Sequence, residues 1–421
     1  MAQSRVVVIV DAYSTQRYLA PLFKERGYTC VHVQSTPVIP PLVRHTFIEE
    51  NFTANIVHAG DVDATLRALA EIRPEVLIPG MESGVELADT LAESLGLRSN
   101  GTALSPARRD KYRMVEAVRA AGVPAAEQVR AARWDEIVEW YAAIGGGRVV
   151  LKPLKSSGND GVAFCDTEEE LAAAFRAVVG RRSALDLLND AVVVQEYLEG
   201  VEYYVNSVSL DGVHYACDIW KTQHLNVNGV RDLLGGSQLL PSTGPEQSVL
   251  TEYAFSVLDA LGIRNGPAHT ELKLTPKGPR LVETGARICG ADLPVLTGKA
   301  IGASQLEWTV DAYLDPDGFK ERATRPYEIQ RHAVCVNMIA PASGTLRSLP
   351  RMDELRGLES YHDVLMRVRP GAPVARTVND FSYPMLVHLL HEVEGYVLRD
   401  YTTARYLDGA GFYELEHATA H

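Results

Sequence analysis

The sequence predicts a mixed α/β and α+β fold that opens with a parallel α/β domain. Short, wholly apolar runs from Val6 to Val10 and from Val76 to Ile78 are typical of strands that are buried on both faces. From about Pro124 onward the pattern becomes α+β, and a hairpin with alternating side chains on both arms lies between His269 and Thr284. The length of 421 residues predicts about two to four domains.

The first part of the chain alternates strands with helices. A helical stretch after the first strand closes at Gly27, and residues Tyr28 to Val33 form the second predicted strand. Asp61 opens a further helix, and residues Glu86 to Leu95 are again helical. The turn after the first strand, which begins at Asp11, contains no GxGxxG motif, so this domain lacks the fingerprint of dinucleotide binding.

A linking helix is predicted between Ser105, its N-cap, and Gly122, which lies just past its end. Lys111 falls on the apolar stripe of this helix, where its ammonium group either reaches water or meets an anionic partner. The stripe continues with Met114, Val115 and Val118. Three arginines are assigned to the polar faces of the helix: Arg108, Arg109 and Arg113.

The stretch from Lys152 to Gly161 has a composition suited to phosphate binding. Residues Val149 to Pro153 are predicted as a strand, and Ser156 to Gly161 as a flexible polar loop. A lysine at a strand end supplies positive charge, and the backbone N–H groups of a Ser/Gly loop can surround phosphate oxygens. The loop is not a Walker A motif, because no Gly-Lys-Ser/Thr follows the glycines. An ordinary surface hairpin loop is the alternative interpretation.

A second motif, Gln195-Glu-Tyr-Leu-Glu-Gly-Val-Glu202, ends the predicted strand Val192 to Tyr197 in an acidic turn. Backbone groups that leave such a strand can bind an adenine edge, and a following carboxylate can hold ribose hydroxyls. A hairpin across Asp211-Gly212 comes next, followed by a predicted long loop from Lys221 to Pro241 and, after about Arg322, by mixed α/β segments.

Two glutamates face each other across the predicted hairpin with the turn Pro276-Lys277-Gly278. A turn centred on Lys277 pairs Glu271 with Glu283 and His269 with Gly285. Carboxylates directly opposite on one sheet face repel each other, so a retained pair indicates a cation between them. Two carboxylates together with phosphate oxygens suit Mg²⁺. A solvated pair on an exposed face is the alternative interpretation.

The bulk composition excludes several classes of protein. A net charge of −13 and the absence of a basic run argue against nucleic-acid binding. The five cysteines show no CxxC spacing, which fits a reducing cytoplasm and argues against disulfides or a zinc site. No apolar stretch approaches the ~20 residues of a membrane span. The first predicted strand begins too early for a signal peptide, so we expect a cytoplasmic protein.

Taken together, these motifs resemble the ATP-grasp superfamily in order and spacing. The resemblance rests on the helical lysine, the Lys-Pro strand end with its Ser/Gly loop, the Gln-Glu-x-Leu-x-Gly-x-Glu motif, and the paired glutamates with Arg287 nearby. It extends over nearly the whole chain. Four further segments are similar to carboxylate–amine ligases, the subgroup that includes bacterial L-amino-acid (dipeptide) ligases; they begin at Pro79, Gly96, Asp110 and Glu283.

The resemblance implies a three-domain ATP-grasp fold. Residues 1–104 would form an N-terminal Rossmann-like parallel α/β domain, and residues 105–198 the linking helix and a central α+β lid. Residues 199–421 would form the C-terminal ATP-grasp domain with an extra α/β subdomain.

The resemblance also assigns residues to ATP and metal. Lys111 and Lys152 would bind the ATP phosphates, with Lys152 also in the catalytic set. The loop with Ser156, Ser157 and Gly158 would close over the triphosphate. The adenine would be lined by Glu196, Tyr197 and Leu198, and the ribose would be held by Glu202. Glu271 and Glu283 would bind one or two Mg²⁺ ions, or Mn²⁺. Many family members have Glu-x-Asn at the second metal position, where this chain has Gly285, which puts the second ion in doubt.

On the substrate side, Arg287 would face the substrate carboxylate and the acyl phosphate made from it, and would act as a catalytic residue. Glu82 would hold an amino group, and His269 is assigned to the substrate or to structural hydrogen bonding. The implied activity is ATP-dependent joining of a carboxylate to an amine, with amino acids as expected substrates. An ATP-grasp kinase, a carboxylase-like enzyme and a non-catalytic nucleotide-binding module stay open, as does a homodimer.

Overall fold

The computed structural model describes residues 5–409 and 411–416. The N-terminal part holds a four-stranded parallel sheet in the order β3-β2-β1-β4 with helices between its strands. Its strands are β1 (Val6–Val10), β2 (Thr29–Gln34), β3 (Asn55–Val57) and β4 (Val76–Pro79). Its helices are α1 (Leu19–Glu25), α2 (Pro41–Arg44), α3 (Val62–Ile72) and α4 (Val85–Ser94). β1 is buried along its whole length, as its apolar run predicts.

The next part contains three helices and a four-stranded antiparallel sheet in the order β5-β8-β6-β7. The helices are α5 (Lys111–Ala120), α6 (Trp134–Ala143) and α7 (Glu168–Val178). The strands are β5 (Gln128–Ala131), β6 (Val149–Pro153), β7 (Ala163–Cys165) and β8 (Val192–Glu196).

The remainder is built on an eight-stranded antiparallel sheet in the order β13-β12-β9-β10-β11-β14-β18-β16, with a small sheet in the order β17-β15-β19 beside it. The strands of the large sheet are β9 (Val201–Leu210), β10 (Val213–Val227), β11 (Val230–Leu239), β12 (Gly266–Thr275), β13 (Gly278–Gly285), β14 (His332–Met338), β16 (Tyr361–Met366) and β18 (Met385–His391). The small sheet comprises β15 (Gly344–Ser348), β17 (Pro373–Val374) and β19 (Glu414–Glu416). The helices are α8 (Pro245–Ala260), α9 (Leu293–Ile301), α10 (Gln305–Leu314), α11 (Pro316–Arg322), α12 (Met352–Arg356) and α13 (Glu394–Leu407).

Two apolar clusters bring the functional elements together. In the first, Met114 and Val118 of α5 pack with Leu250 and Val257 of α8, which places the start of α5 at the β12–β13 hairpin. In the second, Ile288 packs with residues of β1, α1 and α10, so the segment after β13 lies against the N-terminal sheet. The domain boundaries at residues 104/105 and 198/199 stay predictions.

Three local predictions are wrong. The long loop expected from Lys221 to Pro241 is a hairpin of β10 and β11, which turns at Asn228-Gly229, where both residues have positive φ. Such an Asn-Gly pair is the preferred chemistry of a two-residue hairpin turn. Ser105 does not cap the linking helix: it starts a short 3₁₀ turn, and α5 is capped by the carboxylate of Asp110.

The third difference concerns the turn of the glutamate hairpin. Thr275 pairs with Gly278, so the turn contains two residues and is not centred on Lys277. A β-bulge after Glu271 leaves Val282 unpaired, and beyond it Glu271 pairs with Glu283. The predicted pairing is correct because the bulge offsets the error at the turn. Within the described ranges, no helix combines the length and apolar character needed to cross a bilayer.

Candidate active site

The two hairpin carboxylates face each other on one side of the large sheet, and each has a cationic neighbour. Lys111 Nζ lies 3.0 Å from Glu283 Oε1, and His269 Nε2 lies 3.0 Å from Glu271 Oε1. The side chain of Glu283 remains 25% exposed and that of Glu271 29% exposed, and both line a cleft beside the hairpin. Their mutual repulsion is therefore relieved by protein cations, while oxygen lone pairs stay accessible from the cleft.

Lys111 connects the Ser/Gly loop after β6 with the glutamate hairpin. Besides its ion pair with Glu283, Nζ donates a hydrogen bond to the backbone oxygen of Ser156 at 3.1 Å. The backbone N–H of Lys111 donates to Leu154 at 3.0 Å. The lysine is buried, so of the two possibilities left open by the sequence, the structure shows the anionic partner.

Lys152, the other predicted phosphate ligand, is buried at the end of β6 and lines the cleft. Its ammonium group forms no hydrogen bond or ion pair with any residue in the part of the chain that the structure describes. Burial lowers the pKa of Lys152 to about 8, and the neighbouring carboxylate of Glu283 acts in the opposite direction. The cleft therefore has at this position an ammonium group that no carboxylate of the described residues contacts directly.

The Ser/Gly loop after β6 is held by a segment from the far end of the chain. Asp380 donates its backbone N–H to Gly158 at 3.3 Å, and Asn159 Nδ2 donates to Asp380 Oδ1 at 3.4 Å. Gly158 has φ +62°, and a Cβ there would lie 2.7 Å from the ring of Phe381, so only glycine fits. The loop therefore covers the cleft in contact with residues 379–381.

The cleft has a volume of about 800 Å³ and opens to solvent. Eight of the predicted site residues line it: Lys152, Gly158, Glu196, Tyr197, Leu198, Glu202, Glu271 and Glu283. Six others lie outside its lining: Lys111, Ser156, Ser157, Glu82, His269 and Arg287. The carboxylate of Glu196 accepts the backbone N–H of Glu127 at 2.9 Å, and the backbone N–H of Glu196 donates to the backbone oxygen of Glu127 at 2.9 Å, so Glu196 is fixed to the strand β5 side of its sheet.

The end of the cleft near Glu202 is a buried charge network. His224 Nε2 lies 3.5 Å from Glu202 Oε1, and Lys273 Nζ lies 2.9 Å from Asp232 Oδ2. Burial lowers the pKa of His224, but Glu202 raises it more, to about 9. Lys273 also lies 4.9 Å from the centre of the Tyr197 ring. Glu202 is thus fixed by a protonated histidine beside it.

Several lining residues were missed by the sequence analysis: Tyr204, His224, Asp232, Leu234, Lys273 and Asp380. His224 and Asp232 lie on the β10–β11 hairpin, which was predicted as a loop, and Asn228-Gly229 was the signal that could have found it. Lys273 follows Glu271 by two positions on β12 and therefore shares its face. Asp380 had no sequence signal, because only the tertiary fold brings residues 379–381 to the cleft.

Arg287 and Glu82 form an ion pair where the segment after β13 meets the end of β4. Nε and Nη2 of Arg287 both approach Oε1 of Glu82, and Nη1 donates to the backbone oxygen of Ile288 at 3.0 Å. Burial would raise the pKa of Glu82, but Arg287 lowers it to about 2, so the carboxylate stays ionised. The second carboxylate oxygen of Glu82, Oε2, is not part of this ion pair.

Gly285 leaves room for Arg287. A Cβ at Gly285 would lie 3.3 Å from Nε and 3.4 Å from Cζ of Arg287, closer than is usual for such contacts. The guanidinium group therefore lies beside the position from which an asparagine would extend. A side chain at residue 285 would therefore crowd Arg287 in its present position.

His269 has both ring nitrogens engaged. Nδ1 lies 2.7 Å from Asn206 Oδ1, and Nε2 faces Glu271. Burial lowers the pKa of His269, but Cys289 and Glu271 raise it to about 10, so the ring is protonated. Asn206 in turn donates to Asp218 at 2.5 Å. This buried network orients Glu271 and leaves the imidazole no free nitrogen for a substrate or metal.

Comparison with known proteins agrees with this geometry. Residues 147–294 match the ATP-grasp domain family. Over 419 residues, which are 97% of this chain and 97% of the relative, the sequence is 31% identical to dapdiamide A synthase of Enterobacter agglomerans. The chain belongs to the ATP-grasp carboxylate–amine ligases. The predicted superfamily, fold class and enzyme class are thereby confirmed.

Two further proteins are similar to this ligase. An L-amino acid ligase from Bacillus licheniformis has the same fold, with a TM-score of 0.75 and 17% identity over 99% of this chain and 100% of that one. Alanine–anticapsin ligase of Bacillus subtilis (strain 168) is 24% identical over 52% of this chain and 49% of its own length. ATP-grasp enzymes in general use ATP and Mg²⁺. The ligase relatives favour amide-bond formation over the kinase and carboxylase alternatives.

Proposed function

We propose that this ligase joins the carboxylate of one amino acid to the amino group of a second amino acid or amine, and releases ADP and phosphate. One observation carries the proposal. Lys152 and the two carboxylates line the cleft, Lys111 contacts one of these carboxylates, and Arg287 lies on the segment that continues from the carboxylate strand. The relatives named as an L-amino acid ligase and as alanine–anticapsin ligase support amino-acid substrates.

ATP would bind in the cleft with its adenine at Glu196, Tyr197 and Leu198 and its ribose at Glu202. The backbone N–H groups of Glu196 and Tyr197 donate to Glu127 and Arg148, so the adenine would bond to the remaining backbone groups of this segment. The triphosphate would then extend toward Lys152, which has no other partner, and toward Lys111. Ser156, Ser157 and Gly158 would close over the phosphates.

The residues present fit Mg²⁺. Glu271 and Glu283 supply oxygen ligands on one sheet face, and the described residues contain no group of three or more acidic, histidine or cysteine side chains that could hold a metal. Mg²⁺ is commonly bound through one or two carboxylates together with substrate phosphates and water. When bound, Mg²⁺ would neutralise the charge that develops on the phosphoryl group. We propose one tightly bound ion, since Gly285 offers no ligand and Arg287 lies beside it.

The reaction needs no enzyme nucleophile. The substrate carboxylate would attack the γ-phosphorus, giving an acyl phosphate and ADP, and the amine would then displace phosphate. Arg287 would hold the carboxylate and afterwards the acyl-phosphate oxygens, because a planar guanidinium matches both. Lys111 and Lys152 would hold the phosphate oxygens so that the γ-phosphorus is in line with the attacking carboxylate. Catalysis is then positioning and charge neutralisation.

Phosphate and ADP release with and without an amine acceptor test this function. We expect release from a pair of amino acids that exceeds release from either alone, with an amide product of matching amount. A phosphorylated carboxylate as the final product would indicate a kinase instead. Phosphate release across a matrix of amino-acid pairs identifies the substrates, and the homodimer stays a prediction for a mass measurement in solution.

A further inference from the structure

The described residues contain five buried lysines and arginines: Arg108, Arg109, Lys111, Lys152 and Lys273. Three of them form ion pairs, which are Arg108 with Asp89, Lys111 with Glu283, and Lys273 with Asp232. The other two, Lys152 and Arg109, form no ion pair and no side-chain hydrogen bond with any residue of the described ranges. Lys152 is already assigned to ATP phosphate, and Arg109 has no assignment.

A buried cation without a partner is unfavourable, because it loses its hydration and gains no ion pair in exchange. Arg109 is only 5% exposed, and an arginine cannot lose its charge in a protein. None of its nitrogen atoms is among the fully enclosed unpartnered atoms of the described residues, so the guanidinium still borders on solvent-accessible space. An anionic ligand would supply the missing partner.

Arg109 lies on the substrate side of the site. It precedes α5 by two residues, and Ala107, two residues before it, packs in one apolar cluster with Val85, which follows Glu82 by three residues. The charge of Arg109 accordingly lowers the pKa of Glu82, whose carboxylate pairs with Arg287. Arg109 is not part of the lining of the nucleotide cleft. Glu82 therefore has an arginine engaged with it and a second arginine nearby that is free to bind a ligand.

We propose that Arg109 binds the carboxylate of the amino acid that acts as the amine substrate. The proposal rests on the proposed function and specifies its second substrate as an α-amino acid with a free carboxylate. The charges then balance. Arg109, Arg287 and the ammonium group of the first amino acid oppose Glu82 and the carboxylates of both amino acids. Arg287 binds the carboxylate that reacts, because it follows β13, which carries the proposed Mg²⁺ ligand Glu283. Arg109 binds the carboxylate that does not react.

The test compares acceptors that differ only in this charge. L-Alanine, L-valine and L-phenylalanine are each offered beside their primary amides, and kcat/KM for the acceptor is measured in the wild type, in Arg109→Gln and in Arg109→Lys. We expect the wild type to prefer the acids and Arg109→Gln to lose about 10- to 100-fold on the acids, which corresponds to one charge-assisted hydrogen-bonded contact. The amides should be affected little, and Arg109→Lys should recover part of the preference.

Arg113→Gln is the matched control, because Arg113 is an exposed arginine in the first turn of the same helix. It should keep the wild-type preference and the wild-type KM for ATP. Arg109→Gln should unfold close to the wild-type temperature, because it removes a through-space attraction to Glu82 but no hydrogen-bonded partner. A drop in thermal stability as large as that of Glu283→Gln, which breaks a direct ion pair, would indicate a structural role and overturn the proposal.

The remaining outcomes are also decisive. Equal use of acid and amide by the wild type, an unchanged preference in Arg109→Gln, a raised KM for ATP, or loss of activity with acid and amide alike would each overturn the assignment. Failure of the proposed function looks different, because then no acceptor stimulates phosphate release in any variant.

Discussion

Lys111 Nζ lies 3.0 Å from Glu283 Oε1, although 172 residues separate them in the chain. The same ammonium group donates to Ser156 in the loop that would cover the ATP phosphates. Lys111 thus neutralises the carboxylate that we propose as a Mg²⁺ ligand. Binding of ATP with Mg²⁺ would replace this contact by contacts to phosphate, so one residue couples the loop to the hairpin.

Replacing Glu283 with Gln should abolish ligation, because one of two proposed Mg²⁺ ligands is lost. The ligand-free protein should also become less stable, since the buried ammonium of Lys111 loses its charged partner; we expect roughly 1–3 kcal/mol. Steady-state phosphate release and thermal unfolding measure the two effects. Glu252→Gln, an exposed glutamate on α8, is the control and should change neither. Near-normal activity in Glu283→Gln would remove the metal assignment.

Replacing Lys111 with Met should decrease ATP use far more than stability. Met suits the apolar stripe formed by Met114 and Val118, and the Glu283 side chain that loses its partner is 25% exposed and can be hydrated. The KM for ATP and the unfolding temperature are measured together. An active enzyme with a destabilised fold would show instead that Lys111 serves only the structure.

His224 makes the stability of the protein dependent on pH. Its pKa is raised from the ordinary 6.5 to about 9 in the folded state, so its interaction with Glu202 is fully present below pH 6.5 and is lost as the pH rises toward 9. The shift corresponds to a contribution on the order of 3 kcal/mol. The difference in unfolding free energy between wild type and His224→Gln should therefore shrink from pH 6 to pH 9.5. A constant difference across this range would contradict the assigned charge of His224.

The sequence predicted the elements whose signals are local. The apolar runs of β1 and β4 identified the parallel sheet, and the alternating arms of the hairpin placed Glu271 opposite Glu283. It missed what depends on tertiary contacts. Arg108 was assigned to a polar face but is fully buried against Asp89, because the packing of α4 against the segment before α5 creates a pocket that no helical periodicity describes. The contact of Asp380 with the Ser/Gly loop joins segments more than 200 residues apart, which is beyond any local pattern.

We expect Arg287 to serve the reacting carboxylate and not the binding of ATP. Arg287→Lys keeps the charge but removes the planar pair of donors, so ligation should fall strongly, by about 10- to 100-fold. ATP affinity should change little, because the cleft lining does not include Arg287. Its ion pair with Glu82 predicts a further consequence: Glu82→Gln should also impair ligation, because the guanidinium then loses the carboxylate that orients it.

ATP binding and turnover are measured side by side in both variants, with Arg325→Lys, an exposed arginine, as the control. If Arg287→Lys loses ATP affinity, the residue belongs to the nucleotide. If turnover is unchanged, Arg287 holds Glu82 for structural reasons alone. We expect a strong loss of turnover at constant ATP affinity in both variants, because Glu82 contacts Arg287 and neither residue lines the cleft proposed for ATP.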